Sequence, residues 1–467
     1  MFVEPKKPMN TKLHSSKKIT PLAGSVCGLL AGIALAVSSA GWAPGAFAKE
    51  PAGRTAEAQA EKAGETKSAA RAPEEAVRVG IEYLLNQQKS DGGWGQGGGW
   101  RQNAKGGGRV EGANVVDPPD LGNTCVSLVT LLRAGDSPAE GAHREAARKA
   151  FEFICGQVEQ ADEKSLYVTS VRDTQMQVKI GTYVDTFLAG WALSELKGRV
   201  GDEAAEKRRA TALDKVVAKI ERNQKEDGSF AENKGWAAVL SQGLCSKALN
   251  SAARSGAKVS NKTLDKDQQQ NLAGLDLAKG DFSTTTGAAE PSSAGVSLYR
   301  EAAKLGGLRA KTQSNAPRKA EAERKIADAS APAAEKEQAH EELKQFAADE
   351  KASQVAQAAV AGKLGDSKYV AGFGNNGGEE FLSYLNLGES LRERGGKEWD
   401  AWKEKMHTTL CSAQNEDGSW AGHHCITGRT FCTSTALLTL LIDRAPAGAV
   451  IGTAAPEKPA PKTAAVE

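Results

Sequence analysis

The stretch QKSDGGW at residues 88–94 holds a pattern that returns as QKEDGSF at 224–230 and as QNEDGSW at 414–420. Each copy reads Gln, three residues, Gly, one residue and an aromatic, and each follows an amphipathic stretch. Self-similarity at internal spacings of this size is the signature of a repeat architecture. We therefore expect the three copies to mark equivalent places in a repeated fold.

The pattern predicts a clasp between successive repeats. The Gln stands at a helix end, where carbonyls lack intrahelical partners, and its amide can donate to one of them and accept from a backbone N–H. Asp-Gly then turns the chain because Gly adopts positive φ at little cost. The aromatic packs back and bridges to the adjoining helix. These structural residues are Gln88, Gly92, Trp94, Gln224, Gly228, Phe230, Gln414, Gly418 and Trp420.

Apolar residues at helical spacing predict an all-α fold of outer and inner helices in pairs. The spacing of the copies fits six pairs, with a long charged stretch taking the place of the fifth outer helix. The predicted ranges are 73–88 with 121–133, 142–158 with 182–196, 203–224 with 236–253, 264–278 with 294–304, the charged stretch with 379–394, and 397–414 with 430–441.

The motif Gln-x3-Gly-x-Trp after a helix resembles the QW repeat of squalene–hopene and oxidosqualene cyclases, and the related repeat of protein prenyltransferase β-subunits. The resemblance covers about 73–444, and three of the six pairs carry the full motif. It implies an (α/α)6 toroid, terpenoid cyclase/protein prenyltransferase-like, with a cavity inside two rings of helices.

The residues that those enzymes need are absent at the matching places. The cyclase acid motif D-x-D-D does not occur, and the nearest stretch is DPPD at 117–120. Aromatics make up only 5% of the chain, which is low for a cavity that stabilises carbocations. In prenyltransferases a zinc-binding His lies four residues before the Cys that opens the last inner helix; here Gly428 precedes Cys432 by that distance. We expect neither activity.

Zinc remains a weaker alternative to no cofactor at all. His423, His424 and Cys425, with Cys432, offer imidazole and thiolate, which suit zinc, although a loop disulfide or surface histidines explain them as well. Cys411 and Gln414 match the outer spacing of a thioester, but Gln414 already serves the repeat.

Six cysteines follow the N-terminal segment, an even number that permits disulfides in an exported chain. Cys125 and Cys432 occupy matching places in the first and last inner helices, so a bond between them would lock a closed ring. Cys425–Cys432 and Cys411–Cys425 are alternatives, as are buried thiols.

Polar residues at the starts of the inner helices are the candidates for lining the cavity. Helix N-termini suit anionic groups, whereas the acids among these residues suit a cationic or hydroxylated ligand; each acid is also explained as a helix cap. The candidates are Asp120, Asn123, Tyr183, Asp185, Trp236, Glu379 and Tyr384.

The ends of the chain predict export. Residues 1–48 combine a basic start, a short apolar run and an A-x-A site, which indicates a signal peptide, or alternatively a retained membrane anchor. Residues 49–72 form a predicted disordered tether, 73–444 the toroid and 445–467 a disordered tail rich in Pro, Ala and Lys. The insertion at about 313–362 is predicted to form two charged helices, either a solvated elaboration or an arm that binds a partner.

The sequence thus favours an exported, periplasmic or secreted, non-catalytic binding or scaffold protein that holds an isoprenoid or lipid, a glycan or a protein segment. The alternative is an enzyme acting on an isoprenoid or related substrate through Asp185, Tyr183 and the His423–His424 loop. A net charge of +2 gives no reason to expect nucleic acid.

Overall fold

A computed structural model gives the structure of the protein and describes residues 70–100, 109–110, 115–283 and 295–445. The described part is all-α, as predicted, with fourteen α-helices and two hairpins of two-residue strands. The predicted signal peptide, nearly all of the tether and nearly all of the tail lie outside the described residues.

Along the chain, more exposed helices, which we call outer, alternate with almost fully buried helices, which we call inner. In chain order the helices and strands are α1 Pro73–Gln87, β1 Gly99–Trp100, β2 Arg109–Val110, α2 Leu121–Ala134, α3 Arg144–Gln160, α4 Gln175–Lys179, α5 Val184–Glu195, α6 Glu203–Asn223, α7 Ala238–Arg254, α8 Asn261–Leu272, β3 Leu275–Asp276, β4 Asp281–Phe282, α9 Ser297–Ala327, α10 Ala333–Ala361, α11 Ser367–Val370, α12 Gly378–Arg394, α13 Lys397–Ala413 and α14 Arg429–Leu440.

The inner helices are α2, α5, α7, the first half of α9, α12 and α14. They are buried on almost every face, so that in α2 each residue from Leu121 to Arg133 is shielded from solvent. Their contacts run in order, α2 on α5, α5 on α7, α7 on α9, α9 on α12 and α12 on α14, and α14 packs against α2. The order of contacts therefore returns to its starting helix.

The three Gln side chains tie each outer helix to the start of the next. Gln88 Nε2 donates to Ala146 O in α3 and to Gly92 O, both at 2.9 Å. Gln224 Nε2 makes a longer bond of 3.4 Å to Thr263 O in α8. Gln414 Nε2 donates at 2.8 Å to Ala76 O in α1, so that the last outer helix is bonded to the first.

The aromatic residues of the pattern point into the protein. Trp94 and Trp420 are fully buried, and Phe230 is 6% exposed. Each indole Nε1 donates to a carbonyl of the helix just completed, Trp94 to Leu84 O at 2.6 Å and Trp420 to Leu410 O at 2.8 Å. The aromatic side chain thus fastens the turn onto its own outer helix while its backbone N–H binds the next inner helix.

Both the backbone conformation and the space available require glycine at these positions of the pattern. Gly92, Gly228 and Gly418 have φ of 92°, 81° and 87°, in the left-handed region. A Cβ at any of them would lie 2.4 Å from a backbone carbonyl of the next outer helix. Gly therefore allows both the turn and the close approach of the neighbouring helix.

Two predicted boundaries were wrong. The fourth outer helix, α8, ends at Leu272 instead of 278, because Gly274 turns the chain with φ of 77° into the β3–β4 hairpin. The fourth inner helix, α9, continues past 304 to Ala327, since Leu305 and Leu308 extend its buried face. The short helices α4 and α11 were not predicted.

The charged stretch forms the predicted helical hairpin. Helices α9 and α10 pack along each other and are joined by a turn at 328–332, where Ala331 N donates to Asp328 O and Pro332 precedes the first turn of α10. Phe346 and Ala356 on α10 are buried. Helix α10 packs along α9 and keeps an exposed face, and both predicted roles, a solvated elaboration and an arm that binds a partner, stay predictions.

No helix within the described ranges is both long enough and apolar enough to cross a membrane.

Candidate functional site

The most unusual polar group of the described residues is a pair of buried carboxyls, Glu379 and Glu380, in the first turn of α12. Both side chains have no exposed surface. Two loops cover them: the Gly-rich loop 372–378, which leads into α12, and the loop 421–428, which leads into α14. The backbone bonds Gly378 N to Ile426 O at 3.0 Å and His423 N to Asn376 O at 2.7 Å hold the two loops together.

Glu380 is the carboxylate that the site holds in place. Its Oε1 accepts from the Tyr299 hydroxyl on α9 and from Phe373 N at 2.8 Å. Its Oε2 lies 3.6 Å from Nε2 of His424 and has no hydrogen-bond partner in the part of the chain that the structure describes. Gly377 makes this approach possible, since a Cβ there would lie 2.7 Å from both Glu380 Oε2 and the His424 ring.

Glu379 uses one oxygen and leaves the other without a partner. Oε2 accepts from Ile426 N at 3.1 Å, which fixes the covering loop, whereas Oε1 is buried and no described residue bonds to it. Neither ring nitrogen of His424 has a hydrogen-bond partner either. Buried polar atoms are nearly always paired, so this concentration of unpaired acceptors and donors indicates a place where a ligand could bind.

Burial controls the charge of these groups. It raises the pKa of Glu379 to about 8, with the neighbouring Glu380 adding to the effect. Burial also raises the pKa of Glu380, although Tyr299 and Phe373 N–H oppose it by bonding to the ionised form. The pKa of His424 is lowered to about 4, first by burial and then by His423. At neutral pH these values correspond to a neutral Glu379 carboxyl and a neutral His424 imidazole, while the bonds from Tyr299 and Phe373 N–H favour the ionised form of Glu380 against its burial.

Aromatic rings form one wall of the site. The Trp236 ring lies 6.0 Å from that of Tyr299 and 5.0 Å from that of Phe373, and Phe373 is in turn 5.2 Å from the His424 ring. Phe373 is 58% exposed and the His424 side chain is 18% exposed, so the site is reached past these two residues. We call Glu379, Glu380, Tyr299, His424, Phe373 and Trp236 the rim site.

The covering loops are held in uncommon backbone conformations. Asn375 and Cys425 have φ of 74° and 53°, in the region that favours Gly. Such backbone conformations cost free energy, and they concentrate at functional sites. Cys425 is buried, and burial together with Glu379 raises the pKa of its thiol.

The second acid pair, Asp120 and Asp185, is occupied by internal contacts. Asp120 caps α2: its carboxylate accepts from Asn123 N and Asn123 Nδ2, both at 2.8 Å. Asp185 accepts from Gly122 N at 2.9 Å and from Gln177 Nε2 at 2.6 Å. Burial, with the negative charge of Asp185, raises the pKa of Asp120 to about 7. These contacts fit the helix-cap interpretation.

Two further candidates, Tyr183 and Tyr384, make packing contacts of their own. The Tyr183 ring packs 5.0 Å from that of Tyr167. Tyr384 donates to Val370 O at 2.8 Å and packs against Trp402, as a core residue does. Within the described residues no hydrogen bond or ion pair joins Asp185 or Tyr183 to the 423–424 loop.

The near-matches to catalytic motifs have structural roles. Asp117 of the DPPD stretch accepts from the N–H groups of Gln96, Gly97 and Gly98, which shapes the loop before β1. The amide of Gln414 is bonded to Ala76 O and Gly418 O. These bonds are those of the clasp between repeats.

The cysteines are present as thiols. Cys125, Cys155, Cys245, Cys411, Cys425 and Cys432 are all buried, and the structure joins none of them in a disulfide. Between the first and last inner helices the structure instead places Ser127 Oγ 3.2 Å from Ser434 Oγ, while Cys432 donates to Ile426 O. The predicted Cys125–Cys432, Cys425–Cys432 and Cys411–Cys425 bonds are thus not formed in this structure.

The two histidines among the weak zinc candidates lie in different surroundings. His424 faces Glu380, whereas His423 is exposed. Among the described residues, no three His, Cys, Asp or Glu side chains are grouped so that they could hold a metal ion.

Of the rim site, Glu379, Trp236 and His424 were predicted from the sequence, whereas Glu380, Tyr299 and Phe373 were not. The run GFGNNGG at 372–378, directly before two adjacent acids, is a signal that could have found the loop and Glu380. Tyr299 follows a stretch that shows no pattern, so its approach to Glu380 depends on the packing of α9 against α12.

No protein-family model matches this chain, and no curated protein matches it.

Proposed function

We propose that the protein is a non-catalytic binding protein built as an (α/α)6 toroid, and that its rim site binds a hydroxylated or cationic group of its ligand. The observation that carries the proposal is the pair of fully buried carboxyls, each with an oxygen that has no hydrogen-bond partner, beside an imidazole in the same condition. Leaving such groups unpaired costs about 1–3 kcal/mol each, which a ligand would recover.

The toroid is supported by the order of contacts. Inner helices touch in sequence and α14 returns to α2, while Gln414 bonds the last outer helix to the first. The inner helices pack on one another along their length, so we place the ligand at the rim formed by their N-terminal ends.

The polar chemistry fits a hydroxyl group. Neutral Glu379 can donate a hydrogen bond through its carboxyl proton, and Glu380 Oε2 can accept one. A hydroxyl is both acceptor and donor, so it would satisfy the two carboxyls together. An ammonium group would instead donate to Glu380 and lie against the Trp236 ring, as cations do on aromatic faces.

An enzyme acting on an isoprenoid or related substrate remains the alternative, because one observation favours it. A carboxyl with a pKa near 8 is protonated at neutral pH and suits general-acid catalysis. The residues assigned to it change: Glu379, Tyr299 and His424 lie together, whereas Asp185 and Tyr183 are used elsewhere.

Export belongs to the proposal. It depends on the basic, apolar and A-x-A pattern of residues 1–48. A retained N-terminal anchor would place the same rim site at a membrane surface.

Ligand-observed saturation-transfer NMR tests the proposal with glycerol, glucose, ethanolamine and choline as probes, together with mass spectrometry of small molecules and zinc that co-purify. Glu380→Gln keeps the shape of the side chain and removes the carboxyl group, so it should abolish any saturation transfer. Asp349→Asn is the matched control, a buried carboxyl that bonds Gln268 and Asn315 on other helices.

Saturation transfer from no probe, with no co-purified molecule, would end the proposal. Stoichiometric zinc that disappears in a His423→Ala, His424→Ala double variant would instead favour a metal site in this loop.

A further inference from the structure

A pocket at the opposite ends of the inner helices is lined by charged side chains that the rim site does not use. Arg133, Lys247, Arg254 and Arg309 supply the cations, from α2, α7 and α9. Glu195 and Glu389 line it as well, and Glu393 lies 3.8 Å from Arg309. We call this the arginine pocket.

The ion pairs in the pocket leave one cation over. Arg133 pairs with Glu195 at 2.7 Å, while Lys247 and Arg309 share Glu389 at 3.0 and 2.8 Å. Arg254 has no carboxylate within ion-pair distance in the part of the chain that the structure describes. Its one hydrogen bond is to Ser251 Oγ, at 3.3 Å.

These charges are shielded from water. Arg133, Lys247 and Arg309 are 5%, 5% and 8% exposed and Arg254 is half-buried; Nε of both Arg133 and Arg254 is buried and has no hydrogen-bond partner among the described residues. Arg254, the cation without a paired carboxylate, is only half-buried, so leaving it unpaired costs less than the several kcal/mol of a fully buried cation. Consistent with a strongly positive setting, the cations Lys247, Arg309 and Arg133 outweigh burial and lower the pKa of Glu389.

Helix dipoles account for only part of the excess. Arg133 and Arg254 lie in the last turns of α2 and α7, where a cation gains about 0.3–1 kcal/mol from the C-terminal dipole. Lys247 and Arg309 are in the middle of their helices, beyond the reach of that effect. The dipoles therefore do not replace a counter-ion.

We propose that the arginine pocket binds one oxyanion group, a carboxylate or a phosphate, through Arg254 and the free Nε edge of Arg133. Guanidinium groups match the two oxygens of such anions in a planar, bidentate geometry. Lys247, held 4.4 Å above the Trp191 ring and paired with Glu389, would add charge without direct contact. This site is independent of the rim site.

Isothermal titration calorimetry of the full chain with inorganic phosphate and with acetate, at constant ionic strength, tests the proposal. We expect saturable binding of one equivalent of at least one anion, and a loss of at least tenfold in affinity for Arg254→Gln. Arg222→Gln is the matched control, because Arg222 lies in the last turn of an outer helix and is exposed. Arg254→Lys keeps the charge but not the fork, so it should bind more weakly than wild type and more tightly than Arg254→Gln.

Binding of acetate alone would identify a carboxylate site, and binding of phosphate alone a phosphate site. Unsaturable heats that are equal in wild type, Arg254→Gln and Arg222→Gln would overturn the proposal. Circular dichroism of Arg254→Gln shows whether a loss of binding reflects the pocket or a loss of fold.

Discussion

The bond from Gln414 to the first helix tests whether the ring of contacts is closed in solution. Gln414 and Gln88 each donate two hydrogen bonds, at 2.8–2.9 Å, one within the turn and one to the next outer helix. For Gln414 the next outer helix is α1, at the other end of the sequence. Replacing either residue with Ala removes both donated bonds and leaves a carbonyl of the neighbouring helix without its Gln partner. Gln414→Ala also removes the longer bond of 3.3 Å that Gln414 Oε1 accepts from Arg71 Nη1.

The expected losses follow from the geometry. At about 1 kcal/mol for each net hydrogen bond, Gln88→Ala and Gln414→Ala should each lower the free energy of unfolding by ~2 kcal/mol. Gln224→Ala should cost less than ~1 kcal/mol, because Gln224 makes a single bond of 3.4 Å and its Oε1 has no partner. Gln338→Ala, on the exposed face of α10, serves as the control and should change little.

Equilibrium unfolding in urea, followed by both tryptophan fluorescence and far-UV circular dichroism, measures these differences. If α1 and α13 separate in solution, Gln414→Ala will match the Gln338→Ala control while Gln88→Ala keeps its full cost. That result would refute the closed order of contacts. Equal losses at Gln88 and Gln414 would support the closed order of contacts, since a bond to a helix that separates in solution would contribute nothing to the free energy of unfolding.

Two further predictions concern the same fold and site. Gly418→Ala should destabilise the protein by at least ~2 kcal/mol in urea unfolding, because the left-handed φ costs about 1–2 kcal/mol and the new Cβ would lie 2.4 Å from Val79 O. Gly198→Ala is the control: it also has positive φ but nothing near its Cβ, so it should show the φ cost alone. Equal losses for the two variants would contradict the close approach at Gly418. For Glu379, the folded protein holds the pKa near 8 against a usual 4.5, so the folded state binds more protons than the unfolded one between these values and stability falls as pH rises. Glu379→Gln should remove a slope of up to about 1.4 kcal/mol per pH unit from the unfolding free energy between pH 5 and 8, and unchanged slopes would show that Glu379 is ionised.

The repeated pattern predicted the turns between helices well, because its side chains act over short distances in sequence. Gln88, Gly92 and Trp94 act within one turn and on the helix beside it, so their chemistry can be understood from seven residues. The same locality explains the success at the turn after 327, where Pro332 and the residues before it end one helix and start another. The end of α8 was missed because apolar spacing continues through Leu275 and Leu277 into a hairpin.

The rim site was predicted only in part, because it depends on contacts between distant segments. Trp236 and Glu379 were identified at the starts of their helices, yet Tyr299 reaches Glu380 across 81 positions of sequence. The arginine pocket was missed altogether. Lys247, Arg309 and Glu389 are charged residues inside otherwise buried helical stretches. The spacing of apolar residues predicts the helices but not the contacts among these three charged side chains.

Burial raises the pKa of both Asp120 and Glu379, so hydrogen bonding of both carboxyl oxygens is what separates the acid that caps a helix from those that we assign to a ligand. A helix N-terminus favours a carboxylate by about 0.3–1 kcal/mol, up to ~2 kcal/mol when partly buried. A pKa near 8 for Glu379 corresponds to roughly 5 kcal/mol in the other direction, so burial outweighs the dipole. Asp120 is also buried, but its two oxygens accept from Asn123, and these bonds lower its pKa against the burial. A carboxylate that caps a helix has its hydrogen bonds satisfied. Glu379 Oε1 and Glu380 Oε2 are unsatisfied among the described residues, and a bound hydroxyl or ammonium group would supply the missing hydrogen bonds.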